Sequence, residues 1–498
     1  FDAKGGVTAA LTEEDARSFA ALEQMLKERP EGLENWLRHS KPATRTELLS
    51  RISPVSKPPR HDPKVSSEIV SVLIAEPTVV TVDLDAAGAD EISIGRSDET
   101  GKYVTIRLED IRRHIAIFAG SGSGKTVLIR RIIEECALKG VSSIVLDPNN
   151  DLARLGTAWP TAPAGWLEGD AQKAIEYRDN VDVAIWTPKI SAGRPLAFAP
   201  LADLGAVAGD ADEFEMALDN TVATLLPRSG LPTSGPKLTQ GQAVLKQALR
   251  AMVESGGEGL AAFLDILRDL PEGTIQLSNA DKIASEMANT LYAATINDPL
   301  FGGAGTAIDP STLLTPPPGK RARVSVINLA GLPTDEQRQS FVSQLQMALF
   351  AWVKKNPAGD RPLGGLFVMD EAQTFAPSTG GTPCLASTLA LASQARKYGL
   401  GLIFATQAPK GLHNQIPGNA TTQFFGFLNA PVQIAAAREM AVAKGGNVDG
   451  IAQLTKGQFF AASEGLAFQK IRSPMCLTHH PSSPLTQEEI VKLASGPS

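Results

Sequence analysis

Three cysteines in 498 residues, Cys136, Cys384 and Cys476, are too few and too scattered for a disulfide framework, and none has a neighbour at metal-ligand spacing. A reducing compartment, the cytoplasm, is the expected setting. No apolar run approaches the roughly 20 residues that a membrane helix needs, so no membrane segment is expected. Positive charge is also short. Lysine and arginine number 47 against 54 acids, a net charge of −7, which excludes a globally basic nucleic-acid binder. Contact with DNA would have to come from a local basic patch, such as the lining of a ring. Internal repeats are absent. The chain begins at Phe1 rather than Met, so an upstream segment or targeting signal stays open.

What is present is concentrated in residues 119–126, Ala-Gly-Ser-Gly-Ser-Gly-Lys-Thr. An apolar strand candidate, Ile115-Ala116-Ile117-Phe118, runs into this stretch, and a helical pattern over 127–138 runs out of it. Strand, glycine-rich loop and helix in that order make a phosphate-binding loop. The usual pattern opens on Gly; Ala119 is a mild departure, because that position needs only a small residue. Gly120, Gly122 and Gly124 let the backbone wrap closely, with N–H groups turned onto an anion, and the helix N-terminus adds its dipole. Lys125 would reach the β- and γ-phosphates and Thr126 would hold Mg²⁺. The expected nucleotide-binding set is Gly120, Ser121, Gly122, Ser123, Gly124, Lys125, Thr126 and Val127. A flexible Gly/Ser linker has no reason to end in Lys-Thr between a buried strand and an amphipathic helix.

The length allows two or three domains. Residues 1–60 read as a helical segment and linker, with Thr12-Glu13-Glu14-Asp15 opening a helix and a proline-rich run at 53–63. Residues 61–113 read as a small β-module, with strand candidates at 69–74, 79–82, 92–94 and 104–106. Residues 114–160 and 320–475 alternate strand and helix. Strands are expected at 115–118, 143–147, 324–329, 366–371, 402–407 and 423–428, with a closing hairpin at 458–462 and 467–471. Thr334 and Gln337 form a capping box for a helix running to about Lys355. Such alternation means an α/β fold with a mostly parallel sheet covered on both faces. Residues 161–319 break the rhythm and read as a helical insertion, with helices at 211–226, 238–254, 259–270 and 280–297. Residues 476–498 are left as a C-terminal tail, with His479-His480 as surface residues.

Asp370-Glu371 end an apolar strand, where α/β sheets place their sites. Asp370 would bind Mg²⁺ through water, and Glu371 would polarise an attacking water. Gln407 closes the next strand, either touching the γ-phosphate and that water or facing solvent. Arg396, in Gln-Ala-Arg-Lys-Tyr-Gly, is either a finger reaching a neighbouring subunit's γ-phosphate or a solvated cation at a helix end. Asp147 and Asp151 lie near the nucleotide or belong to a turn with side-chain-to-backbone bonds. Lys354, Lys355, Lys410 and the stretch from Arg228 to Lys237 are pore candidates or solvated surface. About 90 residues follow Gln407, too few for a second nucleotide-folding domain, which excludes a two-lobed helicase.

In this order the pieces resemble the HerA-like branch of the HerA/FtsK ATPases. They are Ile94-Gly95-Arg96, His114, the phosphate loop, Leu-Asp-Pro-Asn-Asn-Asp, Met-Asp-Glu-Ala-Gln, Ala-Arg-Lys-Tyr-Gly-Leu-Gly-Leu and Ala-Thr-Gln-Ala-Pro-Lys. The resemblance covers about residues 92–155 and 320–490. It implies a RecA-like P-loop core, ATP and Mg²⁺ as cofactors, and a homo-hexameric ring that moves double-stranded DNA through its channel. It carries Lys125 and Thr126 over as nucleotide and metal ligands, Asp370 and Glu371 as metal and base residues, Gln407 as sensor and Arg396 as the trans finger. Family members pair with a nuclease or a sirtuin-like effector in DNA end processing or phage defence, so such a partner is expected. Two further readings share the core motifs: a secretion or conjugation ATPase, which membrane recruitment would mark, and a nucleotide-dependent scaffold, in which Glu371→Gln would leave the biological activity intact.

Overall fold

In the computed structural model the described residues are 87–496, apart from 198–200, 202–203, 210, 233, 298–300, 302–304, 465 and 482. The helical segment and linker expected over 1–60, and the strand candidates at 69–74 and 79–82, lie outside them. The strands are β1 (Glu91–Ser97), β2 (Tyr103–Arg107), β3 (Ile115–Phe118), β4 (Ser143–Asp147), β5 (Val181–Trp186), β6 (Leu196–Ala197), β7 (Thr306–Ala307), β8 (Ala322–Asn328), β9 (Gly365–Met369), β10 (Leu400–Thr406), β11 (Thr422–Phe425), β12 (Gln458–Ser463) and β13 (Leu466–Arg472).

Eleven of them form one sheet in the order β2-β1-β13-β12-β11-β3-β10-β9-β4-β8-β5. From β11 to β5 every pairing is parallel. From β11 to β2 every pairing is antiparallel. The central strands β3, β4, β9 and β10 are buried at every position, as strands covered on both faces must be. Alternate side chains then feed two cores. Ala116, Phe118, Leu402 and Phe404 face one, packed against Phe341, Leu345 and Leu349 of the helix Asp335–Lys355. Ile115, Ile117, Ile403 and Ala405 face the other, packed against Leu128, Ile132 and Cys136 of the helix Lys125–Leu138. This second helix leaves the phosphate loop, so the loop is anchored at both ends by buried apolar contacts.

Thr334 caps its helix through a bond accepted from the Gln337 amide at 3.3 Å. The Gln337 side-chain oxygen is buried without a partner, so only half of the expected capping box forms.

Three boundaries differ from the sequence expectation. First, the α/β core extends into the stretch read as insertion: the helix Asp170–Asn180 leads into β5, which pairs with β8 from Val181↔Ala322 to Trp186↔Ile327. Asp182 breaks the apolar run of β5 in the sequence, but Arg323 across the ladder donates to it at 2.6 Å. The insertion proper follows β5. Its helices, Ala211–Leu225, Pro236–Glu254, Gly259–Arg268 and Ala280–Asn297, match the expected four and share their own core of Leu218, Leu245, Leu249, Phe263 and Leu291. Second, the described part of the expected β-module is no separate module, because β1 pairs with β13 and so extends the main sheet. Third, the described residues of the expected C-terminal tail pack against the core. Glu134 of the loop helix accepts from the amides of Leu477 at 2.6 Å and Thr478 at 3.0 Å. The helix Gln487–Ser495 carries a complete capping box and buries Ile490 and Ala494. His479 and His480 are half-buried rather than surface residues. Burial, with Arg130 next, pushes His480 down to about 4.

Candidate functional site

β3 ends at Phe118 and the loop turns at once. Gly122 and Gly124 hold left-handed φ values of 76° and 95°. At Gly124 a side chain would be crowded as well: a Cβ would lie 3.0 Å from the Gly457 amide nitrogen. Gly457 in turn donates to the Ser123 carbonyl at 2.8 Å, so the loop rests on the segment entering β12. The helix starts at Lys125, whose amide donates to Ser123 Oγ at 3.3 Å, and the positive end of its dipole faces the loop. Thr126 is half-buried in the first turn. Val127 is buried beside Gly124 and lines a cavity of about 320 Å³ with Arg96, Leu167, Lys456 and Arg472.

Parallel pairing of β3, β10 and β9 brings their C-terminal ends together over the loop. Lys125 ion-pairs with Asp370, and its Nζ donates to Glu371 Oε1 at 2.8 Å. Gln407 Nε2 donates to the same Oε1 at 2.7 Å. Lys125, Asp370, Glu371 and Gln407, scattered over nearly three hundred residues of sequence, therefore meet at one point. Glu371 itself sits at φ 51°, a left-handed conformation costly for a side chain of its size and held by its surroundings.

One participant was not assigned a role from the sequence. Gln373 Nε2 donates to Glu371 Oε2 at 2.7 Å, and the Thr406 hydroxyl donates to Gln373 Oε1 at 2.6 Å. Glu371 is thus gripped on both oxygens. The available signal was a polar side chain two residues beyond an acid at a strand end.

The electrostatics separate the two acids. Burial drives the Asp370 carboxyl above its ordinary range, with Lys125 opposing and Glu371 adding to the rise. Burial would also raise Glu371, but Lys125, Gln373 and Gln407 hold it below the ordinary range. Lys125 stays charged: burial lowers its proton affinity, and the two carboxylates more than offset that. The site therefore holds an ionised Glu371 and a charged Lys125 at neutral pH.

Asp147, at the end of β4, settles on the turn reading. It accepts from the amides of Asp151 at 3.0 Å and Ala153 at 3.1 Å and is fully enclosed. Burial pushes it up to about 6. Asp151 lies within electrostatic reach of Asp370 and Lys125.

Arg396 is not brought to this site. It is exposed on the turn Ala395–Tyr398, which precedes β10, whereas Gln407 follows it. A seven-residue strand separates them, on the order of 20 Å. Arg396 cannot serve the loop of its own chain. Among the described residues no group of three or more His, Cys, Asp or Glu could hold a metal by itself, and no helix is long and apolar enough to cross a membrane.

The sequence matches the family model described as "Helicase HerA, central domain" over residues 92–348, just over half of the chain. The matched stretch contains the whole phosphate loop. Among solved structures, the plasmid coupling protein TrwB in complex with the non-hydrolysable ATP analogue ADPNP is similar at TM-score 0.51 and 13% identity, covering 80% of this chain and 92% of that one. TrwB in complex with ADP and Mg²⁺ is similar at TM-score 0.50 and 12% identity, covering 81% and 92%. VirB4 of Thermoanaerobacter pseudethanolicus gives a TM-score of 0.43 at 15% identity, covering 78% and 97%. At these identities the likeness to TrwB is one of fold. No curated protein matches the chain.

Proposed function

Because the chain belongs to the family described as Helicase HerA, central domain, and is a P-loop ATPase, we propose that it works as a homo-hexameric ring that translocates double-stranded DNA. In this reading it hydrolyses ATP with Mg²⁺ and acts with a nuclease or other effector subunit. The observation that carries the reading is the convergence of Lys125, Asp370, Glu371 and Gln407 over the loop, with Arg396 at the far end of the same sheet.

Lys125 exchanges its two carboxylates for the β- and γ-phosphates of ATP. The Thr126 hydroxyl and the buried Asp370 carboxylate fit Mg²⁺, being hard oxygen donors beside the phosphate loop. When bound, the metal neutralises charge on the phosphate oxygens. Lys125 leaving leaves Glu371 Oε1 with Gln407 alone, and the ionised Glu371 then orients the attacking water from that oxygen while Gln373 keeps the other fixed. Gln407, bonded to Glu371, would contact that water and the terminal phosphate. Arg396 completes the site of the neighbouring subunit, stabilising charge in the transition state, a contribution of about 10³–10⁵ in rate for such fingers. A complete site then needs two chains, which supports ring assembly. Since the net charge is −7, DNA contact falls to local cations; Lys354, Lys355 and Lys410 are exposed.

The test measures ATP hydrolysis with and without double-stranded DNA, together with negative-stain particle images. Expected are DNA-stimulated hydrolysis, six-fold particles, and loss of activity in Lys125→Ala and Arg396→Ala. A monomer indifferent to DNA, with Arg396→Ala fully active, would remove the proposal.

A further inference from the structure

His114 stands immediately ahead of β3 and has no part in the site described above. Its side chain is buried, and its backbone holds a φ of 66°, a conformation such a residue keeps only where its surroundings hold it. Both ring nitrogens are engaged. The Leu402 amide in β10 donates to Nδ1 at 3.2 Å, so that nitrogen carries no proton. The proton sits on Nε2, which donates to the Ala392 carbonyl at 3.0 Å. Burial lowers the imidazole to about 4, the Ala392 bond opposing and Arg396 adding to the fall, so the ring is neutral at pH 7.

Ala392 lies in the last turn of the helix Leu385–Gln394, where carbonyls run out of partners within the helix. The next turn carries Arg396, and β10 begins at Leu400. One imidazole therefore joins three things: the strand that enters the phosphate loop, the strand that ends beside Gln407, and the helix end that leads into the turn presenting Arg396. β10 is buried along its whole length and paired on both sides, so it joins these ends as a stiff element.

We propose that His114 is a positioning residue for Arg396, holding the finger turn in fixed register with the strands that carry the same chain's phosphate loop and Gln407. The inference rests on the trans role given to Arg396 above. Through this tie, the state of one site sets how well the arginine serves the next.

The test uses DNA-stimulated ATPase rates of the full chain. His114→Asn suits the left-handed backbone and keeps an acceptor for the Leu402 amide, but is too short to reach Ala392. His114→Gln restores a donor near the Nε2 position. His114→Asn should lower kcat about tenfold with the KM for ATP unchanged and the melting temperature near that of the parent, and His114→Gln should recover part of the rate. The double variant His114→Asn/Arg396→Ala should be no slower than Arg396→Ala alone. If the two losses multiply, or if His114→Asn raises KM and spares kcat, the positioning role is wrong while the trans arginine stands. If Arg396→Ala alone keeps the full rate, the trans reading fails and this inference falls with it.

Discussion

Gln373→Ala tests whether the grip on Glu371 matters for turnover. The Gln373 amide donates to Glu371 Oε2 at 2.7 Å, a bond to a charged acceptor of the kind that contributes about 1.5–3 kcal/mol. Glu371 is also held at φ 51°, which costs on the order of 1–3 kcal/mol and favours relaxation once a restraint is gone. Lys125 and Gln407 both bind Oε1, so nothing else in the set replaces the lost contact on Oε2. If about 1.4–2.8 kcal/mol of orientation is lost in the transition state, kcat falls about 10- to 100-fold. The KM for ATP should change little, since Gln373 is placed toward the acid rather than the phosphate loop. The assay is steady-state phosphate release over an ATP titration at saturating double-stranded DNA, with circular dichroism to confirm folding. Glu371→Gln serves as the reference and should lose about 10²–10⁴. A folded Gln373→Ala protein with kcat within about twofold of the parent would refute the reasoning, as would a rise in KM at constant kcat.

Gly124→Ala should weaken binding of a fluorescent ATP analogue at least about tenfold, because the left-handed φ of 95° alone costs roughly 1–2 kcal/mol and the new Cβ would press on Gly457. Asp170→Ala should lower stability in urea by about 1.5–3 kcal/mol, because the buried Arg131, whose guanidinium meets the Asp170 oxygens at 2.6 and 2.9 Å, is left with only Glu135 and the Met475 carbonyl as partners. Asp147 gives a pH dependence whose sign is set by its rise from 3.8 to about 6. Below about pH 4 the group is protonated in both states. As pH rises further, the unfolded chain ionises first, so stability is lost between about pH 4 and 6, at most about 3 kcal/mol from this group. Asp147→Asn should flatten that part of a melting-temperature profile, and an unchanged slope would count against the assignment.

The core strands were legible because burial on both faces writes continuous apolar runs, as in Ile115 to Phe118 and Leu366 to Met369. The loop was legible because its glycines and Lys-Thr sit between such a strand and a helix. β5 was not, because the cost of Asp182 is met by Arg323, 141 residues away, and no local pattern announces that partner. The C-terminal segment was missed for the same reason: Thr478 is fixed by Glu134 across 344 residues. Gln373 escaped because its role depends on the unusual backbone of Glu371 and on Thr406, neither visible in its neighbours. The half-formed capping box at Thr334 shows the converse, a local motif that the tertiary surroundings did not complete.

The strand order has a consequence for synthesis. β3, which feeds the phosphate loop, has both its ladder partners made far later in the chain: Ile115 pairs with Ile403 of β10 and with Thr422 of β11, 288 and 307 residues on. At about 5–20 residues per second, the nascent β3 waits roughly 15–60 s with both apolar faces and both edges uncovered. The loop helix and the four-helix insertion emerge during that interval, and the insertion, with a core of its own, is the part able to organise first. Nucleotide therefore has no framed site to bind until β10 and β11 have been made, and a ribosome stalled before Thr422 would display an intact phosphate-loop sequence without its full sheet.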